Sequence, residues 1–210
     1  MVANPHVKEK ANIALLIIDM INDFQFEKGE KLAPFALKAA KNLSRLKKKA
    51  KEYDIPVIYV NDNYGRWQSD FKELIEHTRT VNAYGKEIVQ LLIPDKDDYF
   101  VLKPQFSAFF ATPLDLLLDY LGVNTLIIGG VAGNMCIHFT ANDAYMRNYQ
   151  LFIPRDCTAS NSIEENENAL HIMEYVLQAN VQATKDYDMN ELISNAQKNK
   201  KKPDAVPPQK

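Results

Sequence analysis

Three residues of this sequence could together carry out nucleophilic chemistry. Cys136 follows an apolar run and the glycine-rich segment Gly129–Gly133, at the predicted start of a helix. Free N–H groups and the positive end of the helix dipole favour the thiolate, the reactive form of cysteine, at such a position. Asp19 and Lys103 each end another apolar run, and they offer a proton acceptor and a positive charge. Taken singly, Cys136 could be a buried structural thiol, Asp19 a turn cap and Lys103 a solvated surface lysine.

The segments before these residues have the pattern of parallel strands. Ile13–Ile18 and Tyr99–Leu102 are nearly continuous apolar runs, which are typical of strands covered on both faces. In open α/β sheets, ligands bind outside the carboxyl ends of the strands. We therefore expect Asp19, Lys103 and Cys136 to converge at one edge of a sheet.

Strand-like and helix-like periods alternate along the whole chain, which is the pattern of βαβ units. The predicted fold is α/β: a three-layer α/β/α sandwich with a mostly parallel, six-stranded, Rossmann-like sheet. Helices are predicted at residues 36–50, 113–122, 136–148 and 162–178, the last beginning with a capping box at Ser162. Strands are predicted at residues 13–18, 56–60, 99–103, 125–128, 151–153 and, as an edge strand, 181–183.

The length and composition fit one folded domain. With 210 residues, 46% of them hydrophobic, the chain can bury a full core. We expect an N-terminal arm at residues 1–10, one domain at residues 11–195 and a flexible tail at residues 196–210. The tail is rich in Lys and Pro and cannot bury enough apolar surface to order itself.

Net charge and cysteine content limit the kinds of binding partner and the cellular compartment that we expect. A net charge of -2 and a pI near 6.1 give no electrostatic argument for binding nucleic acid. The apolar run at residues 13–18 is too short to span a membrane. Two cysteines are too few for a disulfide framework, so we expect a cytoplasmic protein. We interpret Cys157 as structural, because no acid and base pair is assigned to it.

Three segments, in this order, carry a resemblance to a known family. They are the run Leu16–Phe24 around Asp19, the strand end at Lys103 with Ser107–Phe110 downstream, and Gly129–Cys136. Together they resemble the isochorismatase-like cysteine hydrolases, which include nicotinamidases, N-carbamoylsarcosine amidases and ureidoacrylate-type amidases. The resemblance extends over residues 11–185. It implies a hydrolase that cleaves a C–N bond of a small amide or carbamoyl compound.

The resemblance also implies a role for each site residue. Asp19 would take the thiol proton, Lys103 would keep Asp19 ionised and stabilise the thiolate, and Cys136 would attack the carbonyl to form a thioester. The backbone N–H groups of Ala132 and Cys136 would bind the oxyanion, with a cis peptide bond between Val131 and Ala132. A homodimer or homotetramer is implied as well, with a small-molecule substrate as the partner.

Aromatic residues near the strand ends are candidates for the walls of the substrate site. The predicted substrate-binding residues are Phe24, Trp67, Phe106 and Phe110. Any of them could instead belong to the core, and Phe24 and Trp67 are the stronger candidates because they lie on predicted loops. Arg66 could bind an anionic group of the substrate or simply be solvated.

The sequence departs from the nicotinamidases at one informative place. Those relatives carry an Asp-x-His pair and a further His after the second strand, where they bind a metal, whereas residues 61–70 here contain no histidine. We therefore predict no metal site and no cofactor, and nicotinamidase activity is in doubt. Two alternatives remain: an isochorismatase-type vinyl-ether hydrolase, a branch that lacks the cysteine, and a non-catalytic small-molecule binding protein of the same fold.

Overall fold

The computed structural model of the chain describes residues 12–63, 75–76, 78 and 84–199. The strands within these ranges are β1 (Ile13–Ile18), β2 (Val57–Asp62), β3 (Tyr99–Lys103), β4 (Thr125–Val131), β5 (Gln150–Phe152) and β6 (Thr158–Ala159). The α-helices are α1 (Gly29–Glu52), α2 (Lys86–Leu91), α3 (Leu114–Leu121), α4 (His138–Met146), α5 (Ile163–Leu177) and α6 (Met189–Lys198).

The six strands form one sheet in which every strand pair is parallel. Its order is β3-β2-β1-β4-β5, and β6 pairs with the last residues of β4. Because the strands are parallel, the residues at their carboxyl ends share one edge of the sheet. Asp62 at the end of β2 is the register partner of Lys103 at the end of β3.

Helices cover both faces of this sheet, as the apolar strand sequences predict. Every residue of β1 is buried. Alternate β1 side chains enter two separate cores, with Ile13, Leu15 and Ile17 on one side and Ala14, Leu16 and Ile18 on the other. The first core also holds residues of α1, α2 and α6, and the second holds residues of α3, α4 and α5. The fold is therefore the predicted three-layer α/β/α sandwich.

Gly130 explains part of the glycine-rich segment that ends β4. Its φ is +128°, which L side chains rarely adopt, and a Cβ built on it would lie 2.0 Å from the Ile18 carbonyl oxygen. The backbones of β1 and β4 approach each other too closely here for any side chain. The glycine thus allows the strand that leads to Cys136 to pair with the strand that leads to Asp19.

The structure corrects the predicted sixth strand. Residues 181–183 form no strand, and the neighbouring contact is an isolated bridge between Asn180 and Phe152. The sixth strand is the two-residue β6 instead, which continues the edge of the sheet beyond the short β5. A strand of two residues shows no periodicity, so the sequence could not reveal it.

The C-terminal part of the described chain also differs from the prediction. Helix α6 ends at Lys198, three residues beyond the predicted domain boundary at residue 195. Ala196 is fully buried, and the Asn124 side chain donates a hydrogen bond to its carbonyl (2.8 Å). The first residues of the predicted tail therefore pack on the domain. Among the described residues, no helix has the length and apolar character needed to cross a membrane.

Candidate active site

The structure brings Asp19, Lys103 and Cys136 together at the carboxyl edge of the sheet. The Lys103 Nζ lies 2.9 Å from the Asp19 Oδ2 and donates to the Cys136 Sγ at 3.4 Å. The Asp19 carboxylate is also close enough to act on the Cys136 thiol through its negative charge. Lys103 is fully buried and Asp19 is 6% exposed. A buried ammonium group thus contacts both the carboxylate and the sulfur.

Asp62 adds a second carboxylate to this cluster. Its backbone N–H donates to the Asp19 Oδ1 at 2.7 Å, and its Oδ2 lies 3.4 Å from the Lys103 Nζ. The sequence prediction did not include Asp62 in the site. Asp62 could have been predicted from its position at the end of a strand, because Asp19 and Lys103 were identified by the same criterion.

Cys136 lies within a π-helical turn, Gly133–Ile137, that precedes α4. The predicted helix began at Cys136, whereas the chain coils three residues earlier. The Ala132 carbonyl accepts from the N–H groups of Met135 and Ile137, at 3.0 and 3.2 Å. In a π-helical turn an N–H group donates to the carbonyl five residues earlier instead of four, as Ile137 does here. The Cys136 N–H therefore lies, in sequence, between the two N–H groups that bind the Ala132 carbonyl.

The π-turn is fixed to the start of α5 by a chain of polar contacts. The Asn134 N–H donates to the Ser160 Oγ (3.1 Å), which donates to the Asn166 Oδ1 (3.2 Å). A Cβ built on Gly133 would lie 2.2 Å from that same oxygen, so a glycine is needed for this close packing. The Val131–Ala132 peptide bond, just before the turn, is cis.

The environment of Cys136 favours the thiol in the resting state. Burial, followed by the nearby negative charge of Asp19, raises the pKa of the thiol to about 12, and the Lys103 charge only partly opposes this shift. The sequence-based expectation of a favoured thiolate is therefore wrong for the resting protein. Loss of water around the sulfur outweighs the positive charge beside it.

Burial acts on the two charged partners as well. It raises the pKa of the Asp19 carboxyl above its ordinary value, although Lys103 lowers it. Burial lowers the pKa of Lys103, but the negative charges around it, that of Asp19 above all, outweigh burial, so this pKa is raised. The resting cluster therefore contains an ammonium group, a carboxylate of increased basicity and a neutral thiol.

A pocket of about 480 Å³ opens beside Asp19, Lys103 and Cys136, which are called the triad below. Asp19, Asp62 and Cys136 line it together with Val131 and Ala132. Apolar walls and a few polar groups complete it: Phe26, Leu32, Phe106 and Met135, with Asn22, Glu27, Lys28 and Asn161. This combination of an apolar wall and few polar groups is typical of a small-molecule site.

The predicted aromatic residues have different positions in the structure. Phe106 lines the pocket, whereas Phe24 is 1% exposed and belongs to the core. Phe26 takes the place expected for Phe24, because the left-handed backbone at Phe24 (φ 58°) changes the direction of the chain. Phe110 is 58% exposed and is not among the pocket residues. Trp67 and Arg66 lie outside the described residues.

A possible cation site in the described part of the chain lies elsewhere. The carboxylates close enough to share an ion there are those of Asp95, Asp97 and Asp98. They come just before β3, at the amino end of the strands, opposite the edge that holds the triad. Lys47 and Lys51 already form ion pairs with them.

Comparison with known proteins places this geometry in a family. The sequence matches the isochorismatase domain over residues 13–186. The uncharacterized isochorismatase family protein YaaI of Bacillus subtilis (strain 168) is 49% identical over 172 residues, or 82% of this chain and 94% of that protein. A probable inactive nicotinamidase of Arabidopsis thaliana is 33% identical over 170 residues, or 73% of this chain and 83% of that protein.

A solved structure agrees with the sequence relatives. The crystal structure of N-carbamoylsarcosine amidase from Thermoplasma acidophilum superimposes with a TM-score of 0.65 at 25% identity, covering 84% of this chain and 98% of that chain. The domain match includes all six strands and the whole carboxyl edge that carries the triad. The chain therefore belongs to the isochorismatase-like cysteine hydrolase family.

Proposed function

We propose that this protein hydrolyses a C–N bond of a small amide or carbamoyl compound through a thioester on Cys136. The observation that carries the proposal is the contact of one buried ammonium group, Lys103, with both the Asp19 carboxylate and the Cys136 sulfur. A nucleophile, a proton acceptor and a fixed positive charge are the parts that acyl transfer by cysteine needs. Cys136 and Asp19 line a pocket, and Lys103 is buried behind them in contact with both.

The first half-reaction moves one proton through Asp19. As the Cys136 sulfur attacks the carbonyl carbon, Asp19 accepts the thiol proton, a C–S bond forms and the carbonyl π electrons move to oxygen. Asp19 then donates the same proton to the leaving nitrogen, and the C–N bond breaks. The products are an amine or ammonia and the Cys136 thioester.

The second half-reaction uses the same carboxylate again. Asp19 accepts a proton from a water molecule while the oxygen of that water attacks the thioester carbonyl. The C–S bond then breaks, and the proton passes from Asp19 to the Cys136 sulfur, which leaves as the thiol. The carboxylic or carbamic acid is released, and the resting proton distribution is restored.

Lys103 keeps the charge of the site balanced during these steps. The resting state (carboxylate, ammonium, thiol) and the activated state (carboxylic acid, ammonium, thiolate) have the same total charge. Proton transfer from Cys136 to Asp19 therefore moves a negative charge between two neighbours of Lys103 and creates no new net charge in the buried site. This matters because an uncompensated buried charge is costly.

The oxyanion needs donors that already point toward it. We assign this role to the N–H groups of Ala132 and Cys136, two residues that line the pocket. The π-turn supports the assignment, because the Ala132 carbonyl binds the N–H groups on either side of that of Cys136. Removing one such donor typically reduces kcat by about 10²–10³-fold.

The pocket limits the size of the substrate. Its volume of about 480 Å³ lies in the lower part of the range for small-molecule sites. The amidase activity named for the Thermoplasma acidophilum relative supports an amide or carbamoyl substrate. The description of the Arabidopsis thaliana relative as a probable inactive nicotinamidase makes activity itself the first point to test.

The test is release of ammonia from a panel of small amides and carbamoyl compounds. Cys136→Ala should abolish turnover of any substrate found, whereas Cys157→Ala, the matched control at the second cysteine, should keep most of it. Cys157 is fully buried in the core beneath β4, so its thiol cannot reach the substrate. Loss of activity in the Cys157 variant with turnover retained in the Cys136 variant would overturn the assignment.

A further inference from the structure

A second pocket lies on the opposite side of the sheet from the Cys136 turn. It has a volume of about 380 Å³ and is formed by one stripe of α1 together with Asp156 and the segment 184–189. Its floor is apolar, since Leu46, Tyr187 and Met189 are each less than 9% exposed. None of its residues lines the pocket above the triad.

Three cationic side chains line this pocket: Arg45, Lys49 and Lys185. In the part of the chain that the structure describes, none of the three forms an ion pair. The pocket also holds one acid, Asp156, whose carboxylate accepts from the N–H (2.9 Å) and the hydroxyl (2.6 Å) of Thr184. Three cations against one carboxylate leave the pocket with a net positive charge.

The same helix offers an internal comparison. Lys47 and Lys51 lie on another stripe of α1 and form ion pairs with Asp95, Asp97 and Asp98. Arg45 and Lys49 instead border the second pocket and form no ion pair with a carboxylate within the described ranges.

Arg45 is held in place at the rim of the pocket. Its guanidinium donates to the Asn42 side-chain oxygen, and the Asn42 amide in turn donates to the Asp156 carbonyl at 2.6 Å. Holding the guanidinium in advance lowers the entropy lost when an anion binds. Arginine also binds carboxylates through two parallel N–H groups.

We propose that this pocket binds a small organic anion whose carboxylate meets Arg45 and Lys185 and whose apolar body rests on Leu46, Tyr187 and Met189. The cations select the charge, and the buried floor selects a ring or a short hydrocarbon chain. A volume of about 380 Å³ suits a ligand of the size of an aromatic acid. The site is independent of the hydrolase chemistry proposed for Cys136.

The test is an NMR titration of the full-length protein at constant ionic strength with three probes. Benzoate has the charge and the ring, acetate the charge alone, and benzyl alcohol the ring alone. Benzoate should shift the amide signals of Thr184 and Lys185 to saturation, with a Kd at least fivefold below those of the other two probes. Equal affinity for acetate or benzyl alcohol would overturn the proposal.

Variants test whether benzoate binds in this pocket. The double variant Arg45→Ala with Lys185→Ala, which removes two exposed cations of the pocket, should weaken benzoate binding at least tenfold. The control is Lys48→Ala, at an exposed lysine of α1 outside the pocket, and it should change the affinity less than twofold. Alkylating Cys136 should leave benzoate binding unchanged. Unchanged affinity in the double variant, or loss of binding after alkylation, would show that benzoate binds elsewhere and would overturn the proposal.

Discussion

The Lys103 ammonium lies 3.4 Å from the Cys136 sulfur, yet the pKa of this thiol is raised to about 12. Burial and the adjacent Asp19 charge outweigh the lysine. A cysteine that rests as a thiol resists oxidation and adventitious alkylation, since the thiolate is the reactive form. In the mechanism proposed above, it becomes a nucleophile when a substrate is present and Asp19 accepts the proton.

Lys103 still lowers the pKa of the thiol relative to a site without it. Lys103→Met keeps most of the side-chain volume but removes the charge, so the thiol pKa should rise further. The rate of Cys136 alkylation by iodoacetamide at pH 9 should fall at least tenfold. Asp62→Asn is the matched control, because losing a negative charge beside Lys103 should move the rate in the opposite direction or leave it unchanged. A rate–pH profile unaltered by Lys103→Met would remove Lys103 from the mechanism.

The convergence of the triad follows from features that are local in sequence. Asp19 and Lys103 each end a strand whose apolar run is visible in the sequence, and parallel pairing brings such ends together. The walls of the pocket could not be predicted in this way. Left-handed backbone at Asp19 and Phe24 (φ 53° and 58°) turns the loop so that Phe24 enters the core and Phe26 the pocket.

The state of the thiol could not be predicted from the sequence either. The start of a helix and a nearby lysine are visible in the sequence, and both favour the thiolate. The degree of burial depends on residues far apart in the chain, such as Phe26, Phe106 and Asn161, which surround the same pocket. The largest influence on the pKa of Cys136 thus arises only when the chain folds.

The pH dependence of activity should reflect the single proton shared by Asp19 and Cys136. The proposed mechanism requires ionised Asp19, whose pKa is raised above 3.8, so kcat/KM should fall as the pH decreases through a value above 3.8. On the alkaline side, the thiol pKa of about 12 predicts a plateau that reaches at least pH 10. Both values belong to the coupled pair.

The measurement is kcat/KM between pH 4 and 10, with far-UV circular dichroism at each pH to exclude unfolding. A fully folded protein whose activity declines between pH 8 and 9 would indicate an essential group that titrates there. That result would contradict the assignment of a neutral resting thiol.

Activity should be independent of a transition metal. Asp62 ends β2, and its carboxylate lies beside the Lys103 ammonium (3.4 Å), which repels a cation. The Asn61 side chain is buried and donates to the Ile21 carbonyl (2.9 Å). Exhaustive dialysis against EDTA and 1,10-phenanthroline should leave kcat/KM unchanged. Loss of activity that added zinc or iron restores would show that this prediction is wrong.

The stability of the fold should decrease at alkaline pH. Burial raises the pKa values of Cys136, Cys157, Tyr59 and Tyr187 above those of the free side chains. Above pH 9 the unfolded chain begins to release these protons while the folded chain keeps them. The unfolded state then binds fewer protons, so the free energy of unfolding falls as the pH rises.

Cys157 allows the alkaline effect to be measured at a single group. It is fully buried, and its pKa is raised well above the ordinary value of 9.0. One such group contributes a loss of about 1.4 kcal/mol per pH unit once it is ionised in the unfolded state but not in the folded state. The measurement is the free energy of unfolding in urea of the wild type and of Cys157→Ala between pH 8 and 10.5. The variant should be less stable than the wild type at pH 8, and its free energy of unfolding should fall less steeply above pH 9. Parallel curves over the whole range would mean that Cys157 titrates equally in both states, contrary to its burial beneath β4.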